Sequence, residues 1–386
     1  MKYIPYGKQT IQEDDIKSVL NTLKSDFITQ GPLIKKFKGL LSNKVNAKYC
    51  AVMNSATSAL HVSCLSLNLC SRDILWTVPN SFVASANCGV YCGAKIDFVD
   101  INIKTGIIDI ENLKEKLKIA HKKNKLPKIV IPVHFAGQPS DQIEIWKLSK
   151  KYGFKIIEDA SHSLGASYKN EPVGSCKWSD ITVFSFHPVK IITSAEGGAA
   201  LTNDLKIHNK LKQYSSHGIT KDKSKMQFSI KYDWYYEQQY LGYNYRLSDL
   251  HAALGISQLK KLNTFVNKRN KIAKNYNKKL NRELIELPQI VKNINSSYHL
   301  YVIRIREDMF PNMRNKVFKL LRKKGILVNV HYIPIHLHPF YRKLGFKKGD
   351  FPISEQYSNE AISLPIFPNL SNREQDYIID VIHSGF

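Results

Sequence analysis

The sequence lacks the patterns that bind structural metals or cross-link secreted proteins. Its six cysteines include no Cys-x-x-Cys pair and no pairing with histidine at metal-ligand spacing. Several of them lie within apolar runs, where a free cysteine behaves as a small buried hydrophobe. We therefore expect no metal site, and we expect a reducing, cytoplasmic location.

Long apolar runs are also missing. No uninterrupted apolar stretch reaches the roughly 20 residues that a membrane-spanning helix needs. The segment from Met1 to Pro5 is soon followed by Glu13, Asp14 and Asp15, without the apolar core of a signal peptide. The expectation is a soluble protein with no membrane partner.

Acidic residues are scarce, because 32 Asp and Glu stand against 57 Lys and Arg and leave a net charge of +25. Such a charge favours an anionic partner, which could be nucleic acid, lipid or a phosphorylated small substrate. The lysines are mostly scattered over segments typical of solvated helix faces. The chain has no helix-turn-helix, zinc or RNA-binding strand signature, and the aromatic residues of 232–245 lack interleaved Lys and Arg, so we expect no nucleic-acid partner.

Hydrophobic residues make up 43% and charged residues 23% of the 386-residue chain, which is typical of a globular protein with two or three packed units. From about residue 45 to 205, short β-rich runs alternate with helical patterns. Strands with helical spacers predict parallel β-α-β units covered on both faces. The run 197–202 follows the preceding strand with little room for a crossover helix, which favours antiparallel pairing there.

The pattern changes in the second half of the chain. After an aromatic loop at about 217–246, Ser248 is predicted to cap a helix, and a second charged helix follows. The last hundred residues alternate strand-like runs, such as 326–331, with a basic helix, which indicates a smaller α+β unit. We therefore predict a large α/β domain with an N-terminal helical segment over 1–250 and a smaller C-terminal domain over 251–386.

A lysine and an aspartate follow two successive predicted strands. Lys190 comes after a strand at 180–185, in a turn with Pro188 where its amine could form an imine with a carbonyl. Asp159 ends the strand before, 31 residues earlier, at the edge where α/β sheets bind ligands. Opposite an imine-forming lysine, its carboxylate suits the protonated ring nitrogen of pyridoxal phosphate. Taken alone, a surface lysine and a capping or metal-binding aspartate are the ordinary interpretations.

Two further signals follow earlier strands. The segment 54–59 offers Ser and Thr hydroxyls at a predicted helix N-terminus, as a cofactor phosphate requires. A plain Ser/Thr helix cap explains it equally well. Phe82, after the next strand, could lie on a pyridine ring, although core packing is the usual role of a phenylalanine. Each signal is weak alone, but four of them in order at strand ends favour a pyridoxal phosphate site.

With these residues in view, the chain resembles the DegT/DnrJ/EryC1/StrS family of pyridoxal-phosphate-dependent sugar aminotransferases over its whole length. The stretches that carry the resemblance are 27–31, 242–246, 330–334 and 362–365, and a narrower match within the family lies in 133–139, 185–190 and 234–239. The resemblance implies an α/β fold of fold type I, with a mostly parallel seven-stranded sheet flanked by helices and a smaller C-terminal α+β domain.

The resemblance also implies a role for individual residues. Lys190 is expected to bond the cofactor aldehyde and Asp159 to pair with the pyridine nitrogen, while His162 lies beside the ring near its phenolic oxygen. The other residues expected to bind the cofactor are Phe82 on the ring, Ala56, Thr57 and Ser185 on the phosphate, and Asn244 on the phosphate of the neighbouring subunit of a homodimer with shared sites. The residues expected to line the sugar-nucleotide site are Tyr6, Asp26, Phe27, Ile28, Thr29, His331, Tyr332, Ile333 and Pro334.

The implied reaction transfers an amino group from L-glutamate to C4 of a UDP-4-keto-6-deoxy-N-acetylhexosamine, on the route to pseudaminic acid. A different 4-keto or 3-keto sugar nucleotide is the alternative substrate. A related sugar dehydratase is disfavoured, since such relatives replace the imine-forming lysine by histidine and Lys190 is present. A non-catalytic protein that binds a sugar nucleotide or, through the +25 charge, a nucleic acid is the less favoured alternative from another class. Where relatives often have arginine before Ser-His-Gly, this chain has Ser215, which weakens any role for this loop in anion binding.

Overall fold

The structure is a computed structural model that describes residues 3–228 and 232–386. The helices of this part are α1 (Glu13–Leu23), α2 (Pro32–Val45), α3 (Ala56–Ser66), α4 (Ala84–Tyr91), α5 (Ile110–Lys122), α6 (Gln142–Tyr152), α7 (Leu205–Tyr214), α8 (Asp249–Lys260), α9 (Leu262–Lys279), α10 (Met313–Lys323), α11 (Pro339–Lys343), α12 (Pro352–Glu360) and α13 (Asn372–His383).

The strands of the same described ranges form one large sheet and several small ones. They are β1 (Ile4–Pro5), β2 (Tyr49–Met53), β3 (Ile74–Thr77), β4 (Lys95–Phe98), β5 (Ile129–Val130), β6 (Lys155–Asp159), β7 (Ser167–Tyr168), β8 (Glu171–Pro172), β9 (Ile181–Ser185), β10 (Gly198–Thr202), β11 (Ile219–Thr220), β12 (Glu237–Gln238), β13 (Ile294–Asn295), β14 (Tyr301–Arg304), β15 (Ile326–Leu327) and β16 (Ala361–Leu364).

The large sheet has seven strands in the order β2-β10-β9-β6-β5-β3-β4. Strand β10 is antiparallel to both of its neighbours, with Gly198 opposite Met53 on one side and Ser185 on the other. The pairs β9-β6, β6-β5, β5-β3 and β3-β4 are parallel. The antiparallel strand is the one predicted from its short connection to β9, which leaves no room for a crossover helix.

Both faces of this sheet are covered, because successive residues of the central strands enter different apolar clusters. Val183 packs in a cluster with residues of α3, α4 and α7. Phe184, the next residue, packs with Phe37 of α2 and Ile256 of α8 on the other side. Side chains of a strand alternate between its two faces, so a strand covered on both faces is buried along its whole length, as all five residues of β9 are.

A separate apolar cluster is built mainly from the C-terminal part of the chain. It joins Tyr276 of α9, Ile303 of β14 and Ile378 of α13. Ile4 belongs to the same cluster, since β1 pairs in parallel with β15. The division into domains at residue 250 stays a prediction. Among the described residues, no helix combines the length and the apolar character needed to cross a membrane.

Local boundaries follow sequence signals in some places and depart from them in others. Ser248 caps α8 as predicted, with its Oγ accepting the His251 N–H. The strand predicted at 326–331 is only two residues long, and the chain then turns towards the large sheet. Strands β11 and β12 pair within the predicted loop 217–246, of which residues 229–231 lie outside the described part.

Candidate active site

A cavity of about 490 Å³ lies at the carboxyl ends of β6 and β9, which is where open α/β sheets bind ligands. Residues 329–332, from the C-terminal part of the chain, line it together with these strand ends. Ten residues predicted from the sequence line this cavity: Tyr6, Ala56, Thr57, Phe82, Asp159, His162, Ser185, Lys190, His331 and Tyr332.

Lys190 lies in a turn after β9, where its backbone N–H donates to the His187 carbonyl at 2.9 Å. Burial lowers the pKa of Lys190 from 10.5 to about 8, and the negative charge of Asp159 opposes this only in part. At neutral pH such a shift raises the fraction of uncharged amine by roughly a few hundred-fold. An uncharged amine is the form that attacks a carbonyl carbon.

The Asp159 carboxylate ends β6 and is 5% exposed. Its Oδ2 accepts the Ser85 hydroxyl at 2.6 Å, and its Oδ1 accepts the Ser161 N–H at 3.2 Å. Both donors are neutral, so the hydrogen bonds orient the carboxylate without cancelling its charge. A buried carboxylate that faces a cavity fits a cationic group there, such as a protonated pyridine nitrogen.

The N-terminus of α3 forms another wall of the cavity. Ser55 caps the helix by accepting the Ser58 N–H at 3.1 Å, and the Ser58 hydroxyl donates to Asn54 Oδ1 at 2.6 Å. The first N–H groups of a helix have no partner within it, and those of α3 belong to Ala56 and Thr57, which line the cavity. Free N–H groups and the positive end of the helix dipole fit a phosphate.

Gly198 of β10 lets this helix start lie against the sheet. A Cβ on Gly198 would be 2.4 Å from the Ala56 nitrogen and 2.5 Å from the Ser55 carbonyl oxygen. These are backbone atoms, so they can make room only if the strand or the helix moves.

Replacing Gly198 by alanine should therefore lower the free energy of unfolding by about 1–3 kcal/mol, the usual cost of overpacking. The matched control is Gly39→Ala in the exposed part of α2, where a Cβ would meet nothing within 4 Å. There the same change should raise the free energy of unfolding by about 0.4–1 kcal/mol. Urea denaturation of both variants measures the two effects, and equal stability of the two would contradict this account of Gly198.

Three buried histidines line the same cavity. His162 Nδ1 accepts the Ala136 N–H at 3.3 Å, so a neutral His162 carries its proton on Nε2 and donates it to the Tyr332 hydroxyl, 3.2 Å away. Burial is the main cause, and nearby positive charge the second, that holds the pKa of His162 well below its usual 6.5. The same two causes lower the pKa of His331 to about 3. The same causes, together with His162, lower the pKa of His299. All three imidazoles are thus neutral near pH 7.

Several residues of the cavity were missed by the sequence analysis. His299 lies in a strand-like run and gives no local signal, yet its ring centroid is 4.3 Å from that of His162. Ser85 and Ser161, which contact Asp159, resemble many other serines of the chain. The spacing of Ser161, two residues after the aspartate, could have indicated its backbone contact, because such a turn is local.

Seven predicted site residues do not line this cavity, and the roles of all the predicted site residues, inside and outside its lining, stay predictions. Asp26, Phe27, Ile28 and Thr29 are exposed, and the Ile28 carbonyl accepts the Asp249 N–H at 3.0 Å. The others that lie outside the lining are Ile333, Pro334 and Asn244. Asn244 is exposed and its backbone bridges to Ser216.

A lysine of lowered pKa, a buried carboxylate and a helix start at one cavity of an α/β fold fit the aldehyde, the pyridine nitrogen and the phosphate of pyridoxal phosphate, and so indicate a pyridoxal-phosphate-dependent enzyme. The chain belongs to the DegT/DnrJ/EryC1/StrS aminotransferase family, whose sequence model matches residues 9–383. The predicted family, fold and cofactor are confirmed.

Known proteins resemble the chain from end to end. It is 35% identical to the UDP-4-amino-4,6-dideoxy-N-acetyl-beta-L-altrosamine transaminase of Campylobacter jejuni over 384 residues, 99% of this chain and 97% of the relative. An aminotransferase of Helicobacter pylori involved in the biosynthesis of pseudoaminic acid superposes with a TM-score of 0.90 at 32% identity, covering 100% and 99% of the two chains.

A Streptococcus pneumoniae protein described as a sugar aminotransferase, solved in its PMP form, superposes with a TM-score of 0.88 at 30% identity, over 99% of this chain and 98% of that chain. It has also been solved in a PLP form. The chain is accordingly an aminotransferase that uses pyridoxal 5'-phosphate.

With Lys190 as the predicted cofactor-binding lysine, its pKa should set the pH at which the apoprotein reacts with this cofactor. Because only the uncharged amine attacks the aldehyde, the rate of cofactor capture should rise with pH and reach half of its plateau near pH 8. Stopped-flow absorbance over pH 6–10 measures this rate. A half-maximal rate near the ordinary lysine value of 10.5 would contradict the effect of burial on Lys190.

Proposed function

We propose that this enzyme transfers the amino group of L-glutamate to C4 of a UDP-4-keto-6-deoxy-N-acetylhexosamine in the cytoplasm. The product would be UDP-4-amino-4,6-dideoxy-N-acetyl-beta-L-altrosamine, which serves pseudaminic acid biosynthesis. The observation that carries the reaction type is the cavity that Lys190 and Asp159 share. The names of the Campylobacter and Helicobacter relatives support this substrate.

The bound cofactor supplies an electron sink that carries the amino group between the donor and the keto sugar. Lys190 would remove and return the proton of the substrate carbon that carries the amino group, because an amine with a pKa of about 8 can both accept and release a proton near neutral pH. Asp159 holds the ring nitrogen protonated through its charge, and Phe82, which is 59% exposed at the cavity, offers its ring face to the cofactor.

The three neutral histidines of the cavity are better suited to bind an uncharged sugar ring than to bind a charged group. His162, His299 and His331 can donate or accept hydrogen bonds without adding charge. Tyr6 and Tyr332 add two hydroxyls to the same lining. Groups of this kind recognise hydroxyl and amide substituents of an uncharged ring, so the roles assigned to Tyr6, His331 and Tyr332 are consistent with a keto sugar.

The proposed homodimer places Asn244 at the neighbouring subunit's cofactor. Asn244 is exposed between Tyr243 and Tyr245, whose rings stack with centroids 4.9 Å apart. The Tyr243 N–H donates to the Tyr214 carbonyl at 2.8 Å and the Tyr245 N–H to the Ser215 carbonyl at 3.1 Å, so the backbone around Asn244 is held while its side chain is free to reach outwards.

Mixing two inactive variants tests whether sites are shared. Asn244→Ala should weaken cofactor retention, and Lys190→Ala should lack the reactive amine. In each heterodimer, the site that combines Lys190 of one subunit with Asn244 of the other is intact, and the second site lacks both residues. The heterodimer should therefore recover up to about half of the activity of the unmodified dimer. Absence of activity in heterodimers verified by native mass spectrometry would count against a shared site.

The substrate is tested with purified enzyme, L-glutamate and the two C5-epimeric 4-keto sugars. We expect UDP-2-acetamido-2,6-dideoxy-beta-L-arabino-hex-4-ulose to give the 4-amino sugar, identified by mass spectrometry and NMR. Conversion of only the D-xylo epimer would overturn the substrate while leaving the aminotransferase reaction intact. Lys190→Ala protein is the negative control, and Lys177→Ala, a change at an exposed lysine, is the positive one.

A further inference from the structure

A chain of two buried hydroxyls stands behind the Asp159 carboxylate. Ser85 of α4 is 0% exposed, and its hydroxyl is 2.6 Å from Asp159 Oδ2. The Ser81 hydroxyl, 3% exposed, lies 2.7 Å from that of Ser85. The two serines are four residues apart and meet at the start of the helix.

Which hydroxyl donates to which follows from the number of protons that the two serines have. An ionised carboxylate can only accept, so the Ser85 O–H must donate to Asp159. The Ser85 oxygen is then left to accept from the Ser81 O–H, because each hydroxyl has one proton. Donors linked in this way polarise one another, and the last of them binds the carboxylate more strongly than an isolated hydroxyl would.

The turn that carries these serines is held in place on several sides. The Ser81 N–H donates to the Pro79 carbonyl at 3.0 Å, and the Ser85 N–H donates to the Phe82 carbonyl at 3.2 Å. Asn80 accepts the Tyr332 N–H at 3.2 Å and donates to the Gly106 carbonyl at 3.1 Å. The hydroxyls are therefore oriented before any ligand enters the cavity.

We propose that Ser85, supported by Ser81, is a positioning residue that aims the Asp159 carboxylate at the cofactor ring. Its hydroxyl donates to Asp159 Oδ2 at 2.6 Å and so limits the rotation of the carboxylate group. With the Ser161 N–H on the other oxygen, both oxygens are fixed, and each keeps one further acceptor site for a group in the cavity that Asp159 lines. The inference rests on the proposed pairing of Asp159 with the pyridine nitrogen.

The same turn joins two functions in one short segment. Phe82 lies between the two serines in sequence and lines the cavity with its exposed ring. A shift of the turn would change both the support of the ring face and the hydrogen bond to Asp159. Ser85 thus couples the position of the aromatic ring to the orientation of the carboxylate.

The test compares Ser85→Ala, Ser81→Ala and the control Ser63→Ala as holoenzymes. Ser63 is also 0% exposed, and its hydroxyl donates to the Ala59 carbonyl on α3, away from Asp159. We expect Ser85→Ala to weaken pyridoxal phosphate binding about tenfold in Kd, which corresponds to the loss of one charge-assisted hydrogen bond. Ser81→Ala should weaken it less, and Ser63→Ala should not change it.

A second readout separates this role from a merely structural one. A protonated ring withdraws electrons and depresses the pKa of the nitrogen bonded to Lys190, so weaker ring protonation should move the pH midpoint of the visible absorbance upwards in Ser85→Ala. In protein that already carries Asp159→Asn, the further change Ser85→Ala should raise the Kd for pyridoxal phosphate less than twofold, because the carboxylate through which Ser85 acts is gone.

The outcomes distinguish this inference from the proposed site. If borohydride reduction finds no cofactor on Lys190 of the unmodified protein, the site itself is wrong. If the cofactor is found there and neither Kd nor the absorbance midpoint changes in Ser85→Ala, the positioning role is overturned. If Ser85→Ala does not fold, Ser81→Ala provides the test, because that change leaves the Ser85 hydroxyl in contact with Asp159. An unchanged Kd and an unchanged absorbance midpoint in Ser81→Ala would then overturn the positioning role.

Discussion

Replacing Lys190 by alanine should leave a folded protein that has lost the yellow colour of its cofactor and essentially all turnover. In the proposed mechanism this side chain is both the amine that bonds the cofactor and the group that moves the proton. Proton transfer by a positioned side chain alone contributes roughly 10²–10⁴-fold in rate, so the loss should exceed that range. Visible absorbance and a coupled glutamate assay measure the two losses in one preparation.

The control for this variant is another lysine near the same strand. Lys177, which pairs with Glu171 on the surface, lies before β9, whereas Lys190 follows it. Lys177→Ala should keep colour and activity. Borohydride reduction and peptide mapping of the unmodified enzyme should place the reduced adduct on Lys190, and an adduct on any other lysine would refute the assignment.

Asp159→Asn should retain the fold and lose turnover by about 10²–10³-fold, the range observed when one preorganised electrostatic group is removed. Asparagine has nearly the same shape, so the Ser161 N–H keeps an acceptor. The substitution removes the charge that, in the proposed pairing, holds the pyridine nitrogen protonated, and a neutral ring is a poor acceptor of electrons. The kcat of purified holoenzyme, compared at saturating cofactor, separates this effect from weaker cofactor binding.

A second aspartate provides the matched control. Asp180 precedes β9 at the opposite edge of the sheet, where it accepts the Ile156 N–H at 2.9 Å and pairs with Lys155. Asp180→Asn should reduce stability without changing kcat. Near-normal kcat in Asp159→Asn would show that another group handles the ring nitrogen.

Much of the chemistry could be predicted because it lies at the ends of successive strands. Lys190 and Asp159 are 31 residues apart in sequence, but the parallel pairing of β9 with β6 brings their strand ends to one edge. The carboxyl ends of parallel strands always meet in this way. The helix start at Ala56 lies at the same edge, because β2 and β9 both pair antiparallel with β10 and therefore run in the same direction.

Prediction was weaker where a contact joins distant parts of the chain. The strand expected at 326–331 stops at Leu327, because Asn329 instead bridges to Ser363 and His331 Nδ1 lies 2.7 Å from the Ser363 hydroxyl. These contacts turn residues 329–332 into the cavity. A β-rich pattern indicates extended backbone but does not specify which neighbour will bend it.

The sequence by itself determined the alternating α/β architecture, the antiparallel strand β10 and the four signals at strand ends, because these depend on local periodicity and on short connections. Only the tertiary structure decided that Ser85 supports Asp159, that His299 lies against His162 and that Lys190 loses its charge at moderate pH. Those properties depend on burial and on distances of a few ångströms between elements, and packing alone fixes both.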